Sequence, residues 1–184
     1  MPRFELADDV HLRSLEPGDA DELYRLVDAN RDHLARWMPW APGQTREGVV
    51  AFIDESIAQE RESDGFQVAL VADSAIVGVL GLHRLDRDNR STSLGYWLAR
   101  SAQGRGLMTR AVARLIDHGF GELGLHRLQI RAAPDNPRSR AIPERLGFTE
   151  EGLLRGAERF GGQYRDLVLY SLLAPEWRGR DGAS

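Results

Sequence analysis

The chain has 184 residues, 42% of them hydrophobic and 28% charged, enough for one domain with a sizeable core. That balance argues against disorder and against a fibrous repeat. A formal charge of −4 gives no global attraction to nucleic acid, and the lack of cysteine excludes disulfides, thiolate metal sites and cysteine nucleophiles.

Asp8 and Asp9 stand where a signal peptide would need an apolar run, and no stretch approaches the ~18 apolar residues of a membrane span, so a cytoplasmic location is expected. Residues 10–15 alternate as a short strand. Glu16-Pro17-Gly18-Asp19 then makes a turn, with Asp19 placed to cap a helix whose apolar face carries Ala20, Leu23, Leu26 and Val27. Pro39 breaks the tract that starts at His33. Thr45 opens a second helix, with Val49, Phe52, Ile53 and Ile57 on one face.

Residues 66–72 and 75–85 read as a hairpin closed at Asp73-Ser74, and residues 91–98 as the third strand of an antiparallel meander. A helix is predicted over about 106–123, with Leu107, Ala111 and Leu115 in one row and Met108, Val112 and Ile116 in the next. A strand over 126–132 follows, then a short helix after Asn136-Pro137 that ends at Leu146-Gly147. The last hairpin pairs 149–160 with 164–173 around Gly161-Gly162. This order predicts a single α/β (α+β) domain over 1–184, with a core at about 10–173, helices on both faces of a mixed sheet, and a frayed end at 178–184.

Gln103-Gly104-Arg105-Gly106 lies where a strand gives way to an amphipathic helix. Glycines weaken both neighbours, so a bare backbone must be needed there. A helix N-terminus carries unpaired N–H groups and a partial positive charge, and together they favour a phosphate. Arg105 can add a charge; the alternative is a plain strand-to-helix turn. Thr109 stands where a Rossmann fingerprint needs its third glycine, and no Walker lysine follows, so neither nucleotide motif fits.

Gln103-Gly104-Arg105-Gly106-Leu107-Met108 does resemble the pyrophosphate loop Gln/Arg-x-x-Gly-x-Gly/Ala of the GNAT superfamily of acyl-CoA-dependent N-acyltransferases, although Met108 replaces the usual small last residue. Gly95-Tyr96-Trp97-Leu98, Asp135-Asn136-Pro137-Arg138-Ser139 and Arg145-Leu146-Gly147-Phe148 resemble the branch of ribosomal-protein N-terminal acetyltransferases, RimJ and RimL, in order and spacing. The resemblance implies a GNAT fold with a mostly antiparallel sheet of about six to seven strands, splayed in the middle. It further implies acetyl-CoA as cosubstrate, an amine acceptor such as a protein N-terminus, and a homodimer; no His/Asp/Glu cluster has metal-ligand spacing, so no metal is predicted.

The resemblance implies that the pantetheine arm lies between the strands over 91–98 and 126–132, with Trp97 and Leu98 at its side and the Leu98 N–H facing the thioester carbonyl. Gln103, Gly104, Arg105, Gly106, Leu107, Met108 and Thr109 would hold the pyrophosphate. Asn136 bonds the pantetheine amides, caps the next helix, or does both. Ser139 matches the serine that RimL-like enzymes place near the sulfur, where it would protonate the leaving thiolate; its bland role is helix capping. Tyr170 is the second candidate acid, with a core role as the alternative.

Family members often carry a carboxylate where this chain has Ser93, so the base is sought elsewhere. His83 has a suitable intrinsic pKa and can act through water, although lone histidines are usually structural. Glu62, Asp64 and Asp166 are undistinguished. Trp37, Met38, Pro39 and Trp40 form either the wall of the amine pocket or a plug between helices. Three functions follow: N-terminal α-amine acetylation, acetylation of a small amine, or a silent acyl-CoA-binding module.

Overall fold

Along β3 (Phe66–Ala72), Val68, Leu70 and Ala72 alternate with Ala69 and Val71, and all five are buried. A strand buried on both faces needs a cover on each. Residues 3–177 of the computed structural model are described, and they supply both covers. α1 (Ala20–Ala29) and α3 (Arg46–Arg61) pack on the face of Ala69 and Val71, through Leu23, Val49 and Ile53. α4 (Leu107–Gly121) and α5 (Pro137–Arg145) cover the other, where Leu107, Val112, Ile116 and Ile142 meet Val68 and Leu70 in the main core.

The remaining strands are β1 (Phe4–Ala7), β2 (Val10–Ser14), β4 (Ala75–Leu82), β5 (Ser91–Leu98), β6 (Arg127–Ala132), β7 (Thr149–Phe160) and β8 (Gln163–Leu173). Their order in the sheet is β1-β2-β3-β4-β5-β6-β8-β7, and every neighbouring pair is antiparallel except β5 with β6. α2 (Arg31–Leu34) is one turn that leads into the Trp37 to Trp40 tract. Thr45 caps α3 by accepting from the Gly48 N–H at 3.1 Å, as its position predicts. Gly147, at φ 81°, ends α5 in the left-handed conformation.

Several expectations are corrected. The sheet has eight strands rather than six or seven, because β1 precedes the predicted core. Only Phe4 of its four residues is buried, against the Arg114 guanidinium (4.0 Å) and the His118 ring (5.3 Å), too brief a signal to register as alternation. β4 stops at Leu82 rather than running to 85. Asp64 accepts from the Leu85 N–H and from Arg84 there, which draws the chain out of the ladder. Asp19 does not cap α1 with its side chain. Its carboxylate, 7% exposed, accepts two bonds from Arg13 at 2.7 Å and one from the Glu16 N–H, fastening the turn to β2.

The predicted frayed end at 178–184 lies outside the described residues. Among the described residues no helix is long and apolar enough to cross a membrane. Close packing in the meander gives a direct test. A Cβ on Gly81 would sit 2.2 Å from the Phe66 carbonyl oxygen, which is backbone and cannot swing aside. Gly81→Ala should therefore cost about 1–3 kcal/mol of stability, read as a lower urea midpoint at unchanged slope.

Candidate active site

β5 and β6 share only three rungs, Ser91 with Arg127, Thr92 with Leu128 and Ser93 with Gln129. Beyond these β5 stays with β4 as far as Leu98, and β6 stays with β8 as far as Ala132. The two strands therefore part, and the sheet forks. His83 N–H donates to the Ser93 carbonyl at 2.9 Å and Ala99 N–H to that of Val77 at 2.8 Å. Odd-numbered residues of β5 thus bond β4, and past the last shared rung the Leu94 carbonyl, both backbone groups of Tyr96 and the Leu98 N–H face the fork. A polar ligand arm laid there meets ready main-chain partners.

A cleft of about 1190 Å³ passes through the fork. Its lining includes Tyr96, Ala132, Asn136 and Ser139 toward α5, and Trp40, His83, Ser93 and Trp97 toward α1 and α3.

At the far end of β5 the chain turns into α4 through Gly104 (φ 79°) and Gly106 (φ 70°). Gly106 is the N-cap, and the first turn of α4 carries no acid. The backbone N–H groups of residues 104–109 have no backbone acceptor among the described residues. Leu107 and Met108 are buried in the core, so only their amides face the loop's exterior. Nothing lies within 4 Å of where a Cβ on Gly104 would be. Arg105 pairs with Asp73 at 2.9 Å, so its charge is partly offset. Arg110 props the turn from beneath: its guanidinium donates to the Arg105 carbonyl at 3.2 Å, and its buried Nε has no partner. Bare amides, a helix N-terminus and an added guanidinium fit a diphosphate. Gln103 sits at the same corner, bonded to His33 at 2.9 Å and receiving Arg138 on its other atom.

α5 begins at the other lip of the fork. Asn136 caps it by accepting from the Ser139 N–H at 3.1 Å, and it lines the cleft as well. The Tyr96 hydroxyl reaches from β5 to donate to the Ser139 carbonyl at 2.9 Å, and it lies 3.4 Å from Ser139 Oγ. Burial pushes the Tyr96 phenol above its ordinary range, so it keeps its proton.

On the acceptor side, His83 follows β4 and its ring lies over Gly95. A Cβ there would be 2.5 Å from Nε2, so glycine makes room for the imidazole. Solvent reaches the ring through the cleft, yet surrounding protein, and secondarily the Arg131 charge, hold its pKa below the usual histidine value. It is neutral at pH 7 and able to accept a proton. Trp40, 37% exposed, meets Trp97 edge to face at 6.1 Å. The β7–β8 hairpin closes the far end, where Arg165 pairs with Glu158 and donates to the Trp37 carbonyl at 2.6 Å.

A family model described as the acetyltransferase (GNAT) domain matches residues 9–149. The chain belongs to the GNAT acetyltransferase family. It is similar to YdaF of Bacillus subtilis, 39% identical over 172 residues that cover 92% of this chain and 94% of the relative. It is 33% identical to the ribosomal protein uS5-alanine N-acetyltransferase of Escherichia coli, over 96% of this chain and 94% of that one. Among solved structures it resembles Mycobacterium smegmatis RimJ in complex with CoA-disulfide, with 31% identity, TM-score 0.86, and coverage of 92% of this chain and 84% of that one. It is thus an acyltransferase of the RimJ/RimL-like branch, with acetyl-CoA as its donor.

Within this GNAT enzyme the predicted residues divide. The fork brings together Leu98, Asn136 and Ser139 on one side and His83, Ser93, Trp37 and Trp40 on the other. Tyr170 is not among them. It is 1% exposed, receives Arg140 at 2.8 Å and donates to Glu144 at 2.9 Å, and it does not line the cleft. β8 turns it into the core beneath α5, and Tyr96 is the phenol beside Ser139. Trp97 commits its backbone to β4 and presents its ring to the acceptor side. Asp64 is held by Arg84, and Asp166 accepts from the Gly156 N–H at 2.7 Å, so neither is free to serve as a base. Glu62 lines the cleft without a partner among the described residues. Trp37, Met38, Pro39 and Trp40 all line the cleft, and Met38 also packs against Val27, Leu34 and Ala41. Sequence reasoning missed Tyr96, Glu158 and Arg165; only the Gly95-Tyr96-Trp97 segment carried any signal for the first.

Gly104→Val tests the loop. A β-branched residue at φ 79° is strained and covers the amides. Affinity for coenzyme A by calorimetry should fall about tenfold or more, with the fold retained because the surrounding space is open.

Proposed function

We propose that the enzyme transfers the acetyl group of acetyl-CoA to the N-terminal α-amine of a protein or peptide. The observation that carries this reading is the make-up of the reacting corner: a neutral His83 and the hydroxyl of Ser93, with no free carboxylate on either strand of the fork. An α-amine has a reference pKa of about 7.7–8.0 and a lysine about 10.4. The α-amine is already partly neutral near pH 7 and needs only a weak base. The name of the uS5-alanine relative supports a ribosomal type of acceptor. A cleft of about 1190 Å³, open on the tryptophan side, has room for an extended N-terminal segment.

In this mechanism the amine enters past Trp37 and Trp40 and gives its proton to His83, directly or through one water. The Leu98 N–H, free of β4, faces the carbonyl oxygen as negative charge develops there, and one such donor supplies on the order of 3 kcal/mol. Ser139 Oγ holds the proton that the leaving thiolate takes. Tyr96 fixes the first turn of α5 through the Ser139 carbonyl, so the hydroxyl is aimed rather than left to rotate. The same reading makes the whole chain one acetyltransferase domain working in the cytoplasm, with no nucleic-acid contact of its own, in keeping with the −4 charge.

A panel of N-terminal peptides, lysine-blocked and lysine-bearing, followed by thiol release, tests the acceptor class; turnover of small amines alone would overturn it. Ser139→Ala should lower kcat about 10- to 100-fold with the KM for acetyl-CoA unchanged. For His83 the sign is fixed by its lowered pKa: protonation on the acid side removes the base, so kcat/KM falls with an apparent midpoint below about 6.5. In His83→Gln that limb should vanish along with most of the rate.

A further inference from the structure

Three guanidinium groups line the cleft, and two are neutralised in place, Arg84 by Asp64 and Arg165 by Glu158. The third, Arg131, has no hydrogen bond or carboxylate partner among the described residues. It lies on β6 two positions past the last rung shared with β5, where the strand has left its neighbour. Leu128 and Ile130 turn into the core. Alternation therefore sends Arg131 to the opposite face, and its charge reaches His83 there. The other cleft charges without partners among the described residues are Glu55 on α3 and Glu62 at its C-cap.

A planar guanidinium with all its donors free, set in the wall of a concave site, matches a carboxylate through two parallel bonds. Its place beside the proposed proton acceptor puts that carboxylate close to the reacting amine. It also makes the corner unfavourable for a second cation at the same point, because like charges repel.

We propose that Arg131 is a specificity-determining residue that binds a carboxylate of the acceptor, the side chain of an Asp or Glu at the second or third position of the N-terminal segment. The assignment rests on the α-amine reading above. Acceptors with an acidic residue there are selected, their amides are weaker substrates, and lysine at that position is excluded.

The test is steady-state acetylation of two peptide sets, each of one sequence with Glu, Gln or Lys, varied at position two in one set and position three in the other. At least one set should favour Glu over Gln by about tenfold or more in kcat/KM, carried by KM, with Lys slowest. Arg131→Gln should bring the Glu to Gln ratio, measured at one pH, near one while leaving the KM for acetyl-CoA unchanged. Equal rates for Glu and Gln peptides in both sets, or an unaltered ratio in Arg131→Gln, overturns the assignment and leaves the α-amine reading standing. No turnover of any peptide removes both. Free glutamate is the further arm, and faster turnover of it than of the Glu peptides would make a free amino acid the source of the carboxylate and overturn the peptide assignment.

Discussion

The parting of β5 from β6 after Ser93 is the constraint on which the site depends. A continuous sheet would satisfy the Leu94 carbonyl, the backbone groups of Tyr96 and the Leu98 N–H with strand partners and seal the space between the two helical layers. Because β5 is held by β4 and β6 by β8, each strand remains supported on one side while the facing edges are released. Open strand edges ordinarily invite aggregation. Here they lie inside the molecule, capped by α5 at one lip and by the tryptophan tract at the other, so the free groups serve a ligand and not a neighbouring chain.

The electrostatics follow from the same parting. β5 leads straight into α4, so the positive end of that helix points at the mouth of the fork. Nothing acidic in its first turn offsets the charge, and Arg110 adds to it. Among the described residues Asp73, at the tip of the β3–β4 hairpin, is the one carboxylate paired with the loop, and it engages Arg105 from outside. That tip, Asp73-Ser74, has both residues at positive φ, the turn that suits the twist of a two-stranded hairpin. Diphosphate recognition and amine activation are thereby separated along one strand, with positive potential at the Leu98 end and a neutral imidazole at the Ser93 end.

The acceptor side is assembled from segments remote in the chain. Trp37 and Arg165 are held together by one hydrogen bond, although 128 positions separate them. His83, just past the end of β4, and Gly95 on the neighbouring β5 are matched in size, one lacking the Cβ that the other's ring would meet. Tyr96 and Tyr170 illustrate how such contacts decide roles. Both are tyrosines on strands next to the fork, yet one reaches Ser139 while the other is enclosed by Arg140 and Glu144. Strand alternation and the packing of α5 set that difference, and neither is visible in the residues themselves.

The sequence by itself determined the order of strands and helices from residue 10 onward apart from the single turn of α2, together with the glycine turn at Gly104 and Gly106 and the capping sites at Thr45 and Asn136. These rest on local rules: period, turn chemistry and backbone freedom act over a few residues and leave their mark in the chain. It also carried the family, because the loop and the Asn-x-x-Ser segment keep their spacing. What only the tertiary structure decided was which polar groups stay free. Arg84 and Arg165 find acids, Arg131 finds none among the described residues, Asp64 and Asp166 are occupied, and His83 is left neutral against Gly95. Those outcomes depend on pairings between distant segments, and the free energy of a charge is set by its neighbours in space rather than by its neighbours in sequence.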